Sequence, residues 1–300
     1  MFNFKSDIQF INYFRLFNFV SLILILISVG FIFYKGLNFG VDFKGGTLIE
    51  LRVENAEIGI GDVRQSFIKM NLGDVNVKKF GKGNDYLIKF EQTDKNKENF
   101  IENIKTQLSK NLSGNFSFRR VENVGPKVSG ELLRSGLIAI VLSLSAMLIY
   151  IWIRFEWQFS LGAIIALIHD VIITIGFFSI LEFEINLSIV AALLTIVGYS
   201  MNDTVVIFDR VRENLKKYSS KSINEISNLS INETLSRTII TSLTTLLALL
   251  SIFFFGGKIL QGFSFAMILG VIFGTYSSIF IANPILMKLK VSQKSLLKED

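Results

Sequence analysis

Two aspartates sit inside apolar runs. Asp203 lies in Leu193-Leu194-Thr195-Ile196-Val197-Gly198-Tyr199-Ser200-Met201-Asn202-Asp203-Thr204-Val205-Val206, and Asp170 follows His169 in the run 159–181. A carboxylate at the centre of a membrane helix costs about 2.5–3.5 kcal/mol on insertion scales, so it needs a protein environment. In such surroundings a carboxyl can load and release a proton, and proton carriage or another ion-coupled role is the chemistry these positions suggest. Ser200, Asn202 and Thr204 supply a polar seam around Asp203. The plainer alternative is a packing carboxylate fixed by hydrogen bonds. The same choice stands for His169 and Asp170: a relay of two titratable groups, or packing, because adjacent side chains on a helix diverge by about 100°. Arg237 opens a later apolar run and is either an interfacial anchor or the counter-charge for Asp203.

Other chemistries find no support. The 300 residues include no Cys and one His, which excludes disulfides, thiolate catalysis, Cys-ligated metals and a His-rich metal site. No nucleophile–base pair, oxyanion motif or metal cluster stands out, so the expectation is a non-enzyme with no cofactor and no metal. Gly40-Val41-Asp42-Phe43-Lys44-Gly45-Gly46-Thr47 holds three glycines in eight residues, which suits tight turns and close backbone approach. It lacks the helix and Lys-Ser/Thr step of a phosphate-binding loop, so it reads as a rigid lead-in, and ATP is not the expected energy source. The net charge of +6 does not point to nucleic acid, because the basic residues flank apolar runs.

The elements that must position these residues follow from the hydrophobic pattern. Half the chain is hydrophobic, 19% is charged and the mean hydropathy is +0.49. Six runs are long enough to cross a hydrocarbon core of about 30 Å. They are 17–34, 135–153, 159–181, 187–208, 238–257 and 262–287, the last able to end near Asn283-Pro284. The first is longer than a signal-peptide core and no small-residue cleavage pattern follows it, so it reads as an uncleaved anchor. Segments 1–16, 154–157, 209–237 and 288–300 hold thirteen Lys and Arg, against Lys258 alone in 182–186 and 258–261. The positive-inside rule then makes both termini cytoplasmic and 36–131 external. Gly270 and Gly274 form a GxxxG pattern that permits close helix packing. Residues 232–237, with those before them, suit an interfacial helix.

The insert 36–131 reads as a folded domain of formal charge +2, an ordinary solvated surface. A strand is expected over 47–53. A helix capped by Asp62 should run to about Asn71, with Val63, Phe67 and Met70 inward. Strands 75–80 and 85–90 flank the hairpin Gly81-Lys82-Gly83-Asn84. A helix over 94–111 places Phe100, Ile101, Ile104 and Leu108 inward, and a strand over 115–121 carries Phe116 and Phe118. The order β-α-β-β-α-β is the ferredoxin-like split arrangement. The expected fold is thus a polytopic α-helical membrane protein of six spans with a small α+β ferredoxin-like external domain. Its divisions are 1–35, 36–131, and 132–300 with a cytoplasmic loop 209–237 and a cytoplasmic tail.

Three blocks carry a resemblance: GVDFKGGT at 40–47, VGPKVSGEL at 124–132 and VGYSMNDTVVIFDRVREN at 197–214. With the span count, they make the chain similar to the SecD/SecF family of the resistance-nodulation-division (RND) superfamily. The modest external region matches the smaller of that family's two kinds of subunit. The resemblance implies a role in export of unfolded preproteins through the SecYEG channel of the bacterial inner membrane. The work would be done from the periplasmic side and driven by the proton gradient. It implies SecD, SecYEG, the preprotein and a YajC-type accessory subunit as partners, and no nucleic acid. In the family pattern Asp203 falls on the intramembrane Asp of the fourth span, implicated in proton passage, and Arg237 on the Arg that starts the fifth. Asp170 falls on a matching Asp of the third span. The moving part would be 36–131, hinged at Gly40, Asp42, Gly45 and Gly46 and at Gly125-Pro126, and SecD would supply a second six-span half. The competing expectations are half of an RND-type small-molecule or lipid exporter, and a passive translocon scaffold that needs no proton carrier.

Overall fold

The computed structural model describes residues 8–55, 58–79, 83–91, 97–112, 115–218 and 220–291. The elements begin with α1 (Ile11–Lys35), α2 (Val41–Lys44), β1 (Gly46–Val53), α3 (Ile60–Ile68), β2 (Val75–Lys79), β3 (Asp85–Phe90), α4 (Lys97–Asn111) and β4 (Phe116–Val124). They continue with α5 (Pro126–Arg154), α6 (Trp157–Ile180), α7 (Leu187–Lys217), α8 (Ile223–Phe255) and α9 (Lys258–Ser277), which runs through a π-helical turn (Ser278–Ala282) into α10 (Asn283–Lys288). Two compact units result. The helical unit comprises Met1–Asn38, Ile138–Phe183 and Ser188–Asp300, and the sheet unit comprises Phe39–Leu137 and Glu184–Leu187.

In the helical unit, α1, α5, α6, α7, α8 and the combined α9–α10 are long and apolar enough to cross a membrane. Half or more of the apolar stretch of α6, α7 and α9–α10 is buried, against less than a fifth for α1, α5 and α8. The inner three therefore carry the packing, and the outer three present apolar flanks suited to lipid or to another membrane protein. Small residues set the closest approaches. A Cβ on Gly270 of α9 would collide with Ile196 of α7, and one on Gly274 would lie 2.9 Å from the Ser200 side chain. The GxxxG face thus packs α9 directly on α7. Gly176 of α6 meets Ser28 of α1 in the same way.

Two boundaries differ from the sequence expectation. The segment 209–237, expected as a loop, is helical at both ends: α7 continues to Lys217 and α8 starts at Ile223. A capping box explains the start, because Ser222 Oγ accepts from the Glu225 N–H (3.3 Å) and Glu225 Oε2 accepts from the Ser222 N–H (2.9 Å). The expected interfacial helix at 232–237 is simply part of α8. Nor does Asn283-Pro284 end the last span. Pro284 lacks an N–H and its ring crowds the preceding turn, and the wider π turn just before it absorbs that crowding. Buried Asn283 ties the irregularity down, donating to Ser278 O (3.1 Å) and accepting from Ser227 Oγ (3.1 Å).

The sheet unit has strand order β2-β3-β1-β4, every pair antiparallel, which is the ferredoxin-like arrangement. Alternation puts Ile49, Leu51 and Val53 of β1 on one face, where they pack with Val63 and Phe67 of α3 and Phe100, Ile104 and Leu108 of α4. Ile101 and Met70 are only half-buried. α3 starts two residues before Asp62, which is not the N-cap: its carboxylate reaches back to the Gly59 N–H (2.9 Å). The tip at Gly81-Lys82 and residues 94–96 of the expected second helix lie outside the described residues. Gly45 and Gly46 carry φ of +79° and +115°, and a Cβ on Gly46 would sit 2.7 Å from Phe90 O. Only glycine fits where the chain turns into β1.

Candidate functional site

Asp170 of α6 is fully buried. Its Oδ2 accepts from Ser200 Oγ of α7 (2.6 Å) and Ser277 Oγ of α9 (2.8 Å), while Oδ1 lies 2.9 Å from His169 Nδ1. The adjacent pair, expected to diverge, is therefore joined: the imidazole folds back onto its neighbour's carboxylate. His169 also stacks on Tyr276 (centroids 5.9 Å apart, 23° between planes). The Tyr276 hydroxyl donates to Phe17 O (2.6 Å) and pairs with Ser21 Oγ (2.6 Å). A polar thread thus crosses from α1 through α9 and α6 to α7.

Asp203 of α7 is 3% exposed, with a different set of neighbours. Its Oδ2 accepts from Thr275 Oγ1 (3.2 Å) of α9 and Ser242 Oγ (3.4 Å) of α8, and these two hydroxyls lie 2.6 Å apart. Both contacts are longer than those on Asp170. The close approach of α9 at Gly270 and Gly274 delivers Thr275 to Asp203 and Ser277 to Asp170, so one helix serves both carboxylates from different sides.

The seam read from sequence is dispersed. Ser200 serves Asp170, and Thr204 donates to Ser200 O within α7 (3.3 Å). Asn202 is exposed and lines a cavity of about 500 Å3 with Val206, Asp209, Glu213, Glu233 and Arg237, among others. Arg237 is exposed beside that cavity, and among the described residues no ion pair joins it to Asp203. In the same cavity wall, Arg210 binds Glu233 of α8 (2.6 Å), tying α7 to α8, and Glu213 of its own helix (2.7 Å). Sequence reading missed Ser242, Thr275, Ser277, Tyr276 and Ser21. The usable signal was the GxxxG pattern, which marks the face of α9 that touches α7 and whose next positions carry the hydroxyls.

The motif at 40–46, expected as a hinge, makes its contacts within the sheet unit. The Gly40 N–H donates to Ile185 O (2.8 Å), Asp42 Oδ2 accepts from the Leu187 N–H (2.9 Å), and Lys89 of β3 pairs with Glu184. A Cβ on Gly45 would lie 3.3–3.4 Å from Ser129, Val124 and Pro126. Gly125 and Pro126 begin α5, with Gly125 O accepting from the Ser129 N–H (3.0 Å). Among the described residues no three of His, Cys, Asp or Glu converge to hold a metal ion. What the helical unit offers instead is a pair of buried carboxyls whose side-chain contacts are hydroxyls and one imidazole.

Among the described residues, six membrane-length helices, two of them carrying a buried aspartate, together with a ferredoxin-like sheet unit define a polytopic membrane protein. Comparison with known proteins is specific. The family model for the C-terminal part of the protein export membrane proteins SecD/SecF matches residues 104–292, and that for the SecD/SecF GG motif matches residues 30–57. A protein translocase subunit SecF of Rickettsia bellii is 48% identical over 283 residues, covering 94% of this chain and 93% of that protein. Its counterpart in Rickettsia prowazekii is 47% identical over 285 residues, covering 94% and 91%. The crystal structure of SecDF from Thermus thermophilus superposes with a TM-score of 0.85 at 34% identity over 97% of this chain. A super-membrane-facing form of SecDF gives 0.71 at 33% identity over 99%. This chain spans 40% of the SecDF chain in both. The chain belongs to the SecD/SecF family, on its SecF side.

Proposed function

We propose that the chain is a non-enzymatic translocase subunit that pairs with a SecD-type half and assists preprotein export through SecYEG, using the proton gradient in the late stages. The observation that carries the proton reading is Asp203: nearly buried, held by two hydroxyls, and next in sequence to Asn202 on a cavity that Arg237 also lines. A hydroxyl can donate to a carboxylate or accept from a carboxylic acid, so the site tolerates both protonation states. Arg237 supplies positive potential beside the cavity and favours release of the proton. A proton crossing 100 mV delivers about 2.3 kcal/mol, enough to bias a two-state motion when several act in turn. The need for a partner half is supported by exposed Asn202 within a span, by the largely exposed α5 and α8, and by the 40% share of SecDF that this chain matches.

Asp203→Asn keeps size and hydrogen bonding and removes titration. It should insert and associate normally and lose the gradient-dependent stage of preprotein release from vesicles, while ATP-driven initiation survives. A wild-type response to an imposed gradient would make Asp203 a packing residue. The distribution of Lys and Arg supports an inner-membrane orientation with both termini cytoplasmic and 36–131 periplasmic. In this Cys-free chain, Asn84→Cys should react with an impermeant thiol reagent in intact cells; labelling of Ser220→Cys instead would reverse the topology.

A further inference from the structure

The GG-motif segment does more than lead into β1. It lies alongside the connection between α6 and α7 and satisfies its backbone. Phe39 and Ile185 form a parallel bridge, and the Gly40 N–H donates to Ile185 O (2.8 Å). A Cβ on Gly40 would lie 2.5 Å from Glu184 Oε1, so a side chain there would push the Glu184 carboxylate aside. Glu184 is in turn paired with Lys89 of β3. Asp42 Oδ2 accepts from the N–H of Leu187, the first residue of α7, at 2.9 Å. The first N–H groups of a helix have no partner within it, and an anionic acceptor at that end is favoured by the helix dipole as well. Asp42 thus caps, from 145 residues away in sequence, the helix whose interior carries Asp203. The same short segment continues through Gly45 and Gly46, both at positive φ, into the central strand β1.

We propose that Asp42 is a positioning residue that grips the first turn of α7, so that displacement of α7 on proton loading at Asp203 is carried into the sheet through the 39–46 segment. This rests on the proton reading given above for Asp203. The grip has three parts: the Asp42 cap, the Phe39–Ile185 bridge and the Lys89–Glu184 pair. The strap then moves as one piece, with 184–187 and 39–46 keeping their mutual contacts through the cycle. Asp42 is a poor fit to a merely solvated role, since its carboxylate is spent on a backbone N–H of a different element.

The test uses the full chain with its SecD-type partner in vesicles and in detergent. Asp42→Ala should speed amide hydrogen exchange at the start of α7, from Leu187, by about tenfold, the size of a lost helix cap. It should also cut the gradient-dependent component of preprotein release by about tenfold while leaving the ATP-driven component unchanged. Asp42→Asn retains an acceptor oxygen and should restore most of both. Phe39→Cys combined with Ile185→Cys allows the strap to be locked by oxidation in this Cys-free chain. The locked protein should keep its gradient response, and locking in the Asp42→Ala background should rescue it until the disulfide is reduced. Loss of the response on oxidation of otherwise wild-type protein would overturn the proposal, whether or not Asp42→Ala folds. So would a wild-type response of Asp42→Ala beside an inert Asp203→Asn, and that result would leave the proton reading standing. If Asp203→Asn also responds like wild type, both fall together.

Discussion

The acids of the sheet and the two aspartates within the apolar helices are held by different means. In the sheet unit, Asp85 is clasped by both forks of Arg52 (2.6 Å each), and Glu50 lies 3.6 Å from Arg120, which also binds Glu122. In the helical unit, the side-chain donors on Asp203 are hydroxyls, and those on Asp170 are two hydroxyls and an imidazole. A guanidinium is always charged and offers only donors, so it fixes its partner as an anion. A hydroxyl reverses its role when the carboxylate takes a proton. Arg52–Asp85 is therefore a permanent ion pair, whereas Asp170 and Asp203 can change state without losing their neighbours; the helical unit keeps its guanidinium pairs elsewhere, in Arg210–Glu233 and Arg212–Glu156 (3.6 Å). The helical unit itself divides, since Asp170 is locked by three short contacts whereas Asp203 has two longer ones.

The largest expected effect separates locked from switchable. Asp170→Leu leaves Ser200, Ser277 and His169 without their shared acceptor, and should lower thermal stability in detergent by roughly 3 kcal/mol or more. Asp170→Asn keeps one acceptor oxygen and should cost about 1 kcal/mol. The gradient response of folded Asp170→Asn should stay near wild type. If it instead vanishes as in Asp203→Asn, the two acids work as one relay and the division inside the helical unit disappears.

How far this contrast is visible in the sequence depends on the range of the interactions. The six spans and the ferredoxin-like order are written in local signals: run length, alternation and the helical spacing of Val63–Phe67 and Phe100–Ile104–Leu108. The two acids are equally plain, because an Asp within an apolar run is costly wherever it lies. Which hydroxyl serves which acid is not local. Ser200 lies three residues from Asp203 but serves Asp170, because the rotation of α7 turns it toward α6 and α9. Ser242 and Thr275 reach Asp203 from 39 and 72 residues away. The length of α7 and α8 beyond the apolar runs was also hidden, since the charged residues at 209–217 form pairs such as Arg210–Glu233 between helices rather than a loop. The sequence places Asp42 only within a hinge motif, because its partner at Leu187 lies 145 residues away.

A medium effect tests the hydroxyl set itself. Ser242→Ala combined with Thr275→Val removes both side-chain donors from Asp203 and leaves a nearly buried carboxyl to fend for its ionised form. A lost partner at a buried polar group costs roughly 1–3 kcal/mol, so the anionic state should be disfavoured by that much and the gradient response should fall about tenfold. Raising the pH on the cytoplasmic side at fixed membrane potential should recover part of it, because proton release occurs there. A double variant that exports like wild type across pH would mean that the hydroxyls pack α8 on α9 and do not tune Asp203.

The smallest effect lies in the sheet unit and carries its own sign. Burial pushes the Glu50 carboxyl above its usual range, with Arg120 pulling the other way, while the hydrogen-bonded Arg52 guanidinium holds Asp85 below its own. A raised carboxyl means that the folded state binds the proton more readily than the unfolded one, so Glu50 favours folding at low pH. That contribution is lost as pH rises through about 4 and upward. Asp85 has the opposite sign: its contribution is present above its ordinary range and is lost as pH falls below it. Glu50→Gln should therefore remove a cost at neutral pH, and Arg120 keeps Glu122 as a partner. Because the pair is partly screened, the gain should be under about 1 kcal/mol. Amide exchange in β1 of the full-length protein, followed from pH 4 to pH 7, is the measurement. Wild-type protection should decline across that interval and the variant's should stay nearly level. If Glu50→Gln is instead less protected at pH 7, the Glu50–Arg120 pair is net stabilising, and the sheet unit holds its buried acid at a profit that burial alone does not predict.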